Sequence, residues 1–378
     1  MKEHILFIID GLPGGGAENV TIRLCHGLSQ RGYQVTLLSL AEKCDYAIPA
    51  DIELLIDADS YHGLFYRQTE LKRRANSMDK TLQALFARKG IPALIVSNLH
   101  KTDRIVALSK QLADKNVWYC IHGIFSQSYL GNKKGFSRWL KQKKIQKVYQ
   151  GKNIITVSNA AGQDLIENIK IVPNQLKTIY NPFDIQEIRT LASENNPYQK
   201  QDYLLHIGRF HQVKRHDRLL EAFALANLPC KLLIAGQGSS EVTSNIKNKI
   251  VALNLENKVS LIGFLANPFP VIKDAKAVVL SSDSEGLGNV LVESLICNTP
   301  IVSTNCLGGI SEIMEGELAD YKSELNSASL AEKMRLAYFN PPKITPNMYQ
   351  KFDIDEVIRQ YIELIYSQRI SIMSQNTF

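Results

Sequence analysis

At 378 residues the chain is longer than one hydrophobic core usually serves, which points to two domains. It is 45% apolar and 21% charged, the composition of a soluble globular protein, and no apolar run approaches the ~20 residues that span a bilayer. The net charge of +7 is uneven: residues 1–183 carry 25 Lys and Arg against 15 Asp and Glu, the remainder 19 against 22, so an anionic partner is expected for the first half alone.

The chain opens on HILFIID (4–10), a continuous apolar run that reads as a buried strand. No small-residue cleavage site follows it, so a signal peptide is not expected. Next comes the turn GLPGGG, then a helical pattern with Val20, Leu24 and Leu28 on one face and Gly32 as its stop, then the strand QVTLLSL (34–40). This is a β-loop-α-β unit. Gly14, Gly15 and Gly16, lying between a strand and a helix start, can present amides to a phosphate or sugar oxygen. A dinucleotide fingerprint is the competing reading, with Glu42 cast as its ribose acid, but the spacing is not G-x-G-x-x-G. Asp57-Ala58-Asp59 is formally a D-x-D, remote in sequence from the other motifs, and no metal site is expected from it.

Further strands are predicted at 93–98, 117–123 and 154–158, with helices between them; the alternation implies a parallel, doubly wound sheet. His122-Gly123 ends the middle strand, on the side where such sheets bind ligands. Between Lys115 and Gln163 there are nine cations and no acid. Within that span, GNKKGFSRWLKQKKIQKVY (131–149) interleaves Phe136, Trp139, Leu140, Ile145, Val148 and Tyr149 with lysines. The plainer reading is a solvated basic helix; the functional one is docking on an anionic membrane surface. No nucleic-acid recognition motif accompanies the charge.

The pattern breaks near 181–201, and 184–201 reads as a linker between a first domain (1–183) and a second (202–352). The second domain alternates afresh: strands 203–208, 231–236, 259–263, 277–282 and 300–304, and helices 215–227, 240–254 and 289–298. A last helix spans 353–368. In HIGRFHQVK, Arg209 and Lys214 set two cations at a strand end, suited to a departing diphosphate. Residues 281–312 carry Glu285 and Glu293 across the turn EGLGN, where Gly286 and Gly288 permit close approach of a ligand to a helix start. Two carboxylates around an anion cradle suit a pyrophosphate between two polyhydroxylated rings. The six cysteines show no C-x-x-C pairing and read as small buried hydrophobes in a reducing compartment, hence a cytoplasmic protein.

The spacing E-x7-E, followed by C-x-T-P-I-V-S (297–303) and GG-x-x-E (308–312), resembles the retaining glycosyltransferases of family 4. GGAE at 15–18 and G-R-x4-K at 208–214 add to the likeness, as do VSNAAGQDL (157–165), IYNPFD (179–184) and IAGQGS (234–239). The resemblance implies a GT-B fold, two Rossmann-like doubly wound domains facing across a cleft, with the last helix packing back on the first. It implies catalytic roles for Glu285, Arg209, Lys214 and His122. Donor contacts are implied at Gly15, Gly16, Gly208, Gly236, Gly263, Phe264, Gly286, Leu287, Gly288, Asn289 and Glu293, with Glu312 opening a helix under the diphosphate. The implied activity is metal-independent transfer of a hexose or N-acetylhexosamine from a nucleotide sugar, a UDP-sugar, to a glycan or lipid-linked acceptor in surface-polysaccharide or lipopolysaccharide synthesis. No cofactor is implied beyond that co-substrate, and the enzyme would be peripheral at the inner face of the cell membrane. Two departures stand out: Arg215 and Asn298 occupy positions where the family usually has glycine. A sugar-nucleotide epimerase, a nicotinamide dehydrogenase and a non-catalytic sugar-binding protein remain the alternatives.

Overall fold

The computed structural model describes residues 3–61, 63 and 65–375. The chain divides into two compact units, one formed by residues up to Pro182 together with the last helix, the other by Phe183–Asp353.

The first unit is built on strands β1 (His4–Ile9), β2 (Gln34–Ser39), β3 (Glu53–Ile56), β4 (Leu94–Asn98), β5 (Val117–Ile121), β6 (Asn153–Thr156) and β7 (Gln175–Thr178). They form one sheet in the order β3-β2-β1-β4-β5-β6-β7, every neighbouring pair parallel. Strands covered on both faces are mainly apolar, and β1, β4 and β5 are buried at every position, including the polar His4, Ser97 and Asn98. Helices α1 (Gly16–Gln30), α2 (Tyr66–Lys89), α3 (His100–Val106), α4 (Gly135–Tyr149) and α5 (Asn159–Glu167) connect them. α1 buries Val20, Leu24 and Leu28 as its spacing requires. α2, polar over most of its surface, buries only the stripe Ala75, Met78, Leu82 and Leu85 plus Arg74.

In the second unit α6 (Ile185–Leu191) precedes β8 (Tyr203–Ile207), α7 (His216–Ala226), β9 (Lys231–Ala235), α8 (Ser240–Ala252) and β10 (Val259–Gly263). α9 (Phe269–Lys273), β11 (Ala277–Leu280), α10 (Asn289–Ile296), β12 (Ile301–Thr304), α11 (Ile310–Ile313), β13 (Lys322–Ser323) and α12 (Ser327–Phe339) follow. The sheet order is β10-β9-β8-β11-β12-β13, again all parallel. In each unit the order reverses beside the first strand, between β1 and β4 and between β8 and β11. Ligands of such sheets settle at that reversal, beyond the strands' carboxyl ends.

The last helix, α13 (Ile354–Gln375), lies against α1 of the first unit. A Cβ on Gly27 would come within 2.7–2.8 Å of the Ile354 and Ile358 methyls, so the missing side chain sets how closely the two helices pack. Phe7 and Tyr361 meet at 6.4 Å between ring centroids, and Asn116 Nδ2 donates to Leu364 O at 3.2 Å.

The stretch 184–201, expected to be a linker, belongs to the second unit. Asp184 caps α6 by accepting from Glu187 N at 2.9 Å, Ile188 is buried, and Asn196 donates to Tyr203 and Asp274 at 2.8 Å. Its polar residues are there to make turn hydrogen bonds. The edge strands β3, β7 and β13 have no counterpart among the sequence expectations.

Candidate active site

Glu285 and Lys214 meet at the strand-order reversal of the second unit. Lys214 follows β8 on a single 3-10 turn, Gln212–Lys214, and Glu285 lies in the loop after β11. Lys214 Nζ donates to Glu285 Oε1 at 2.6 Å, and Ser282 Oγ donates to the same oxygen at 2.5 Å. The pair is largely shielded, with side-chain exposures of 21% and 12%. Removing either partner of a pair this sheltered leaves the other charge buried and uncompensated.

Two glycine turns support Glu285 from behind. Glu285 N donates to Leu307 O at 2.9 Å, and Gly309 N donates to Gly286 O at 3.1 Å, so EGLG (285–288) lies back to back with LGG (307–309). Gly308 has φ +127°, and a Cβ there would fall on the Glu285 carbonyl oxygen. Gly288 has φ +100° and stands as the N-cap of α10, with no side chain of its own to cap it. The start of α10 follows Glu285 by a few residues, and a helix start carries partial positive charge. Asn289 opens the helix and Glu293 follows one turn later, half-buried. Leu287 is 2% exposed and packs against Gly309, so at this turn it offers main chain and not side chain. Glu312 lies in the four-residue α11, not at a longer helix start, and its carbonyl accepts from Lys351 Nζ at 2.6 Å.

The other predicted glycines of this unit are contiguous. Gly208 N donates to Ala235 O at 3.0 Å and Gly236 N to Gly263 O at 2.7 Å, which aligns the ends of β8, β9 and β10. A Cβ on Gly236 (φ +140°) would strike the Gly208 carbonyl. Gly208 lies along the Lys214 stem, its own Cβ direction ending 3.6 Å from Lys214 Cε. Arg209 is exposed at the end of β8, and among the described residues no hydrogen bond or ion pair ties down its guanidinium. Phe264 is 68% exposed beside Gly263.

Several neighbours carry no sequence signal of their own. His206 and His216 lie fully within the fold near Lys214, their rings edge-on at 5.0 Å, and among the described residues neither Nε2 has a hydrogen-bond partner. Burial holds His206 down to about 4 and His216 to about 3, so both are neutral at neutral pH and add no charge to the floor. Asp283 binds Arg215 and Arg218, and Arg215 sits in the left-handed region at φ 49°, ψ 54°. Asn298 is also left-handed, at φ 62°. Both departures from glycine therefore fall where glycine is the easy residue; asparagine tolerates the conformation, and Arg215 is held in it by Asp217 and Asp283.

In the first unit His122 stands just past β5. Asn98 Nδ2 donates to Val96 O at 3.4 Å, which fixes its Oδ1 as the acceptor for His122 Nε2 at 3.0 Å. Burial lowers the imidazole to about 4, so the ring is neutral and its Nδ1 is left as an acceptor for a hydroxyl. It cannot serve as a cation near neutral pH. Leu99, next to Asn98, is strained at φ 74°. Close by, Asp103 is fully buried, accepting from Ser97 Oγ at 2.5 Å and Tyr149 OH at 2.6 Å; desolvation pushes it up to about 8. Gly15 and Gly16 open α1, where the Glu18 carboxylate fills the space a Cβ on Gly15 would need. The start of α1 thus already faces a carboxylate of its own chain. Asp57 accepts from Ser77 Oγ at 2.7 Å and Asp59 is ion-paired with Arg73, so both acids of the D-x-D are engaged.

The basic segment 131–149 separates into two parts. Ile145, Val148 and Tyr149 are core residues, whereas Phe136, Trp139 and Leu140 are 72%, 50% and 41% exposed. The Phe136 and Trp139 rings stack at 5.5 Å. Lys143, Lys144 and Lys147 are exposed on the same helix. Among the described residues no helix is long and apolar enough to cross a membrane.

Comparison with known proteins bears on the family and the fold. Residues 14–187 match the family described as Glycosyltransferase Family 4, and residues 187–353 match Glycosyl transferases group 1. The chain is 28% identical over 377 residues to N-acetylgalactosamine-N,N'-diacetylbacillosaminyl-diphospho-undecaprenol 4-alpha-N-acetylgalactosaminyltransferase of Campylobacter jejuni, covering 96% of this chain and 100% of that one. It is 24% identical to the amylovoran biosynthesis glycosyltransferase AmsD of Erwinia amylovora, over 88% of this chain and 91% of that one. Among solved structures, Anabaena HepE in complex with UDP and glucose superposes with a TM-score of 0.78 at 19% identity, over 97% of this chain and 100% of that one.

Proposed function

The chain is a glycosyltransferase of family 4 with the GT-B fold, and from that membership we propose that it is a retaining, metal-independent hexosyl- or N-acetylhexosaminyltransferase. Its donor is a nucleoside-diphosphate sugar with uridine as the base, and its acceptor a hydroxyl of a glycan or lipid-linked glycan in cell-surface polysaccharide or lipopolysaccharide synthesis. The observation that carries this reading is the Lys214–Glu285 pair at the strand-order reversal, with the exposed guanidinium of Arg209 on the neighbouring strand end. Lys214 and Arg209 stabilise the departing diphosphate, an electrostatic contribution of the oxyanion-hole kind. Glu285 accepts from hydroxyls of the transferred sugar and Glu293 from those of the ribose. Main chain at Gly236, Gly263, Gly286 and Gly288 approaches the nucleotide, and Phe264 lies against its base. Gly15, Gly16 and His122 contribute from the first unit, with His122 accepting from a sugar hydroxyl.

Retention follows from front-face attack. The anomeric C–O bond to the diphosphate breaks, the acceptor oxygen bonds the same face, and the acceptor proton passes to a diphosphate oxygen. A relative that works on a diphospho-undecaprenol glycan and a structural neighbour that binds UDP with glucose support the choice of donor and acceptor class.

A thermal-shift panel of UDP-, GDP-, dTDP- and ADP-sugars tests the proposal. One UDP-sugar should raise the apparent melting temperature, since ligand at 100 times its Kd adds about 2.7 kcal/mol. With a glycan acceptor it should yield an α-linked product and free UDP, unaffected by EDTA. Turnover lost in EDTA and restored by Mn²⁺ would overturn metal independence. Epimerised donor without acceptor, a response to NAD alone, or sugar binding with no nucleotide released would each overturn transfer.

The acceptor class and the basic face of α4 support peripheral attachment at the cytoplasmic face of the membrane, with Trp139 and Phe136 at headgroup depth. The six cysteines, all free thiols, fit that compartment. Exchanging Lys141, Lys143, Lys144 and Lys147 for glutamine should weaken binding to vesicles with 30% anionic lipid by about 10³-fold, at ~1 kcal/mol per cation. Unchanged co-sedimentation would refute docking through this helix.

A further inference from the structure

The turn that presents Lys214 is only three residues long and leads into a helix through the left-handed Arg215, so something outside it must fix where the ammonium points. Beyond its own turn hydrogen bonds, it is tied to the loop after β11. Asp283 N donates to Val213 O at 2.8 Å and Ser281 Oγ donates to Lys214 O at 2.7 Å. The Asp283 carboxylate then binds two guanidinia: Arg218 Nη2 at 2.7 Å and Arg215 Nη1 at 3.1 Å. Arg218 also reaches Ser281 O through Nη1 at 2.9 Å, and it is only 5% exposed. A guanidinium buried that deeply needs its carboxylate, which makes Asp283 the centre of the clamp. Two residues on, the same loop places Glu285 against Lys214.

We propose that Asp283, gripped by Arg215 and Arg218, is a positioning residue that sets the place of Lys214, and through it the strength of diphosphate binding. It acts through Lys214: its charge is neutralised by the two arginines, and the bonds of its loop, Asp283 N to Val213 O and Ser281 Oγ to Lys214 O, hold residues 213–214 in register with Glu285. This rests on the reading of Lys214 as a diphosphate ligand.

A double-mutant cycle separates the two ideas. UDP, GDP and ADP are titrated by calorimetry into wild type, Lys214→Ala, Asp283→Asn and the double variant, and the tightest nucleotide is followed. Lys214→Ala should weaken binding about 30-fold and Asp283→Asn about 10-fold. In the Lys214→Ala background, Asp283→Asn should change affinity less than 2-fold, because the residue it positions is gone. Asp283→Glu should recover part of the loss. An equal loss in both backgrounds would overturn the positioning role while leaving Lys214 as a ligand. No effect of Lys214→Ala would overturn both, and the site reading beneath them. If Asp283→Asn does not fold, Arg218→Lys completes the same cycle, with the same two outcomes deciding it.

Discussion

Glutamine at position 285 should lower sugar transfer by about 10²–10³-fold while the melting temperature moves by only a few degrees. Glu285 Oε1 takes both the Lys214 ammonium and the Ser282 hydroxyl, and glutamine keeps an acceptor oxygen of the same reach. Packing against the LGG turn is main-chain and does not change. What is lost is the charge: the ammonium is no longer balanced, and the carboxylate that would take the strengthening hydrogen bonds of the sugar hydroxyls is gone. The loss should fall on kcat more than on KM, because those bonds are strongest when the anomeric carbon carries positive charge. Steady-state kinetics beside a thermal melt measures both. Near-wild-type turnover would remove Glu285 from the site.

Alanine at Gly308 should be far more damaging to the fold. Its Cβ would coincide with the Glu285 carbonyl oxygen, a main-chain atom that cannot rotate aside, and φ +127° is itself strained for any L side chain. Relief would require the two glycine turns to separate and the Glu285 N–Leu307 O bond to break. A cost of about 3 kcal/mol or more is expected in the urea stability of the second unit, with transfer lost in the fraction that folds. Gly316→Ala is the control: φ is +55° there and nothing lies within 4 Å of the added methyl, so about 1 kcal/mol of conformational strain is the whole effect. Equal stability of the two variants would show that position 308 is not constrained as described.

Much of this arrangement is legible in the residues, for a physical reason. Central parallel strands are covered on both faces, so β1, β4, β5, β8, β11 and β12 are mostly apolar, with a few buried polar residues such as Ser97, Asn98, His206, Ser303 and Thr304. The edges β3, β7 and β13 are half-exposed, carry Glu53, Gln175 and Lys322, and look like loop. α6 was hidden by the polar stretch after it, whose residues serve as turn partners. In α4 the interleaving of aromatics and lysines is visible in sequence, but which aromatics face the core is decided by where the helix lands on the sheet. Glu285 and Lys214 stand out because glycines frame them at fixed spacing. Asp283 and Arg218 do not, since they lie far apart along the chain and only the fold joins them; Ser282, three residues before Glu285, reads as an ordinary loop serine. His206 reads as one more residue of a buried strand.

The contact of Gly27 with Ile354 and Ile358 has a consequence for biosynthesis. α1 precedes the second unit in the chain, and the α13 surface that covers it arrives only after the whole of that unit has been translated. On the ribosome the first unit must therefore wait with that apolar groove bare. Its closure by Ile354 and Ile358 makes completion of the earlier-made half the later event.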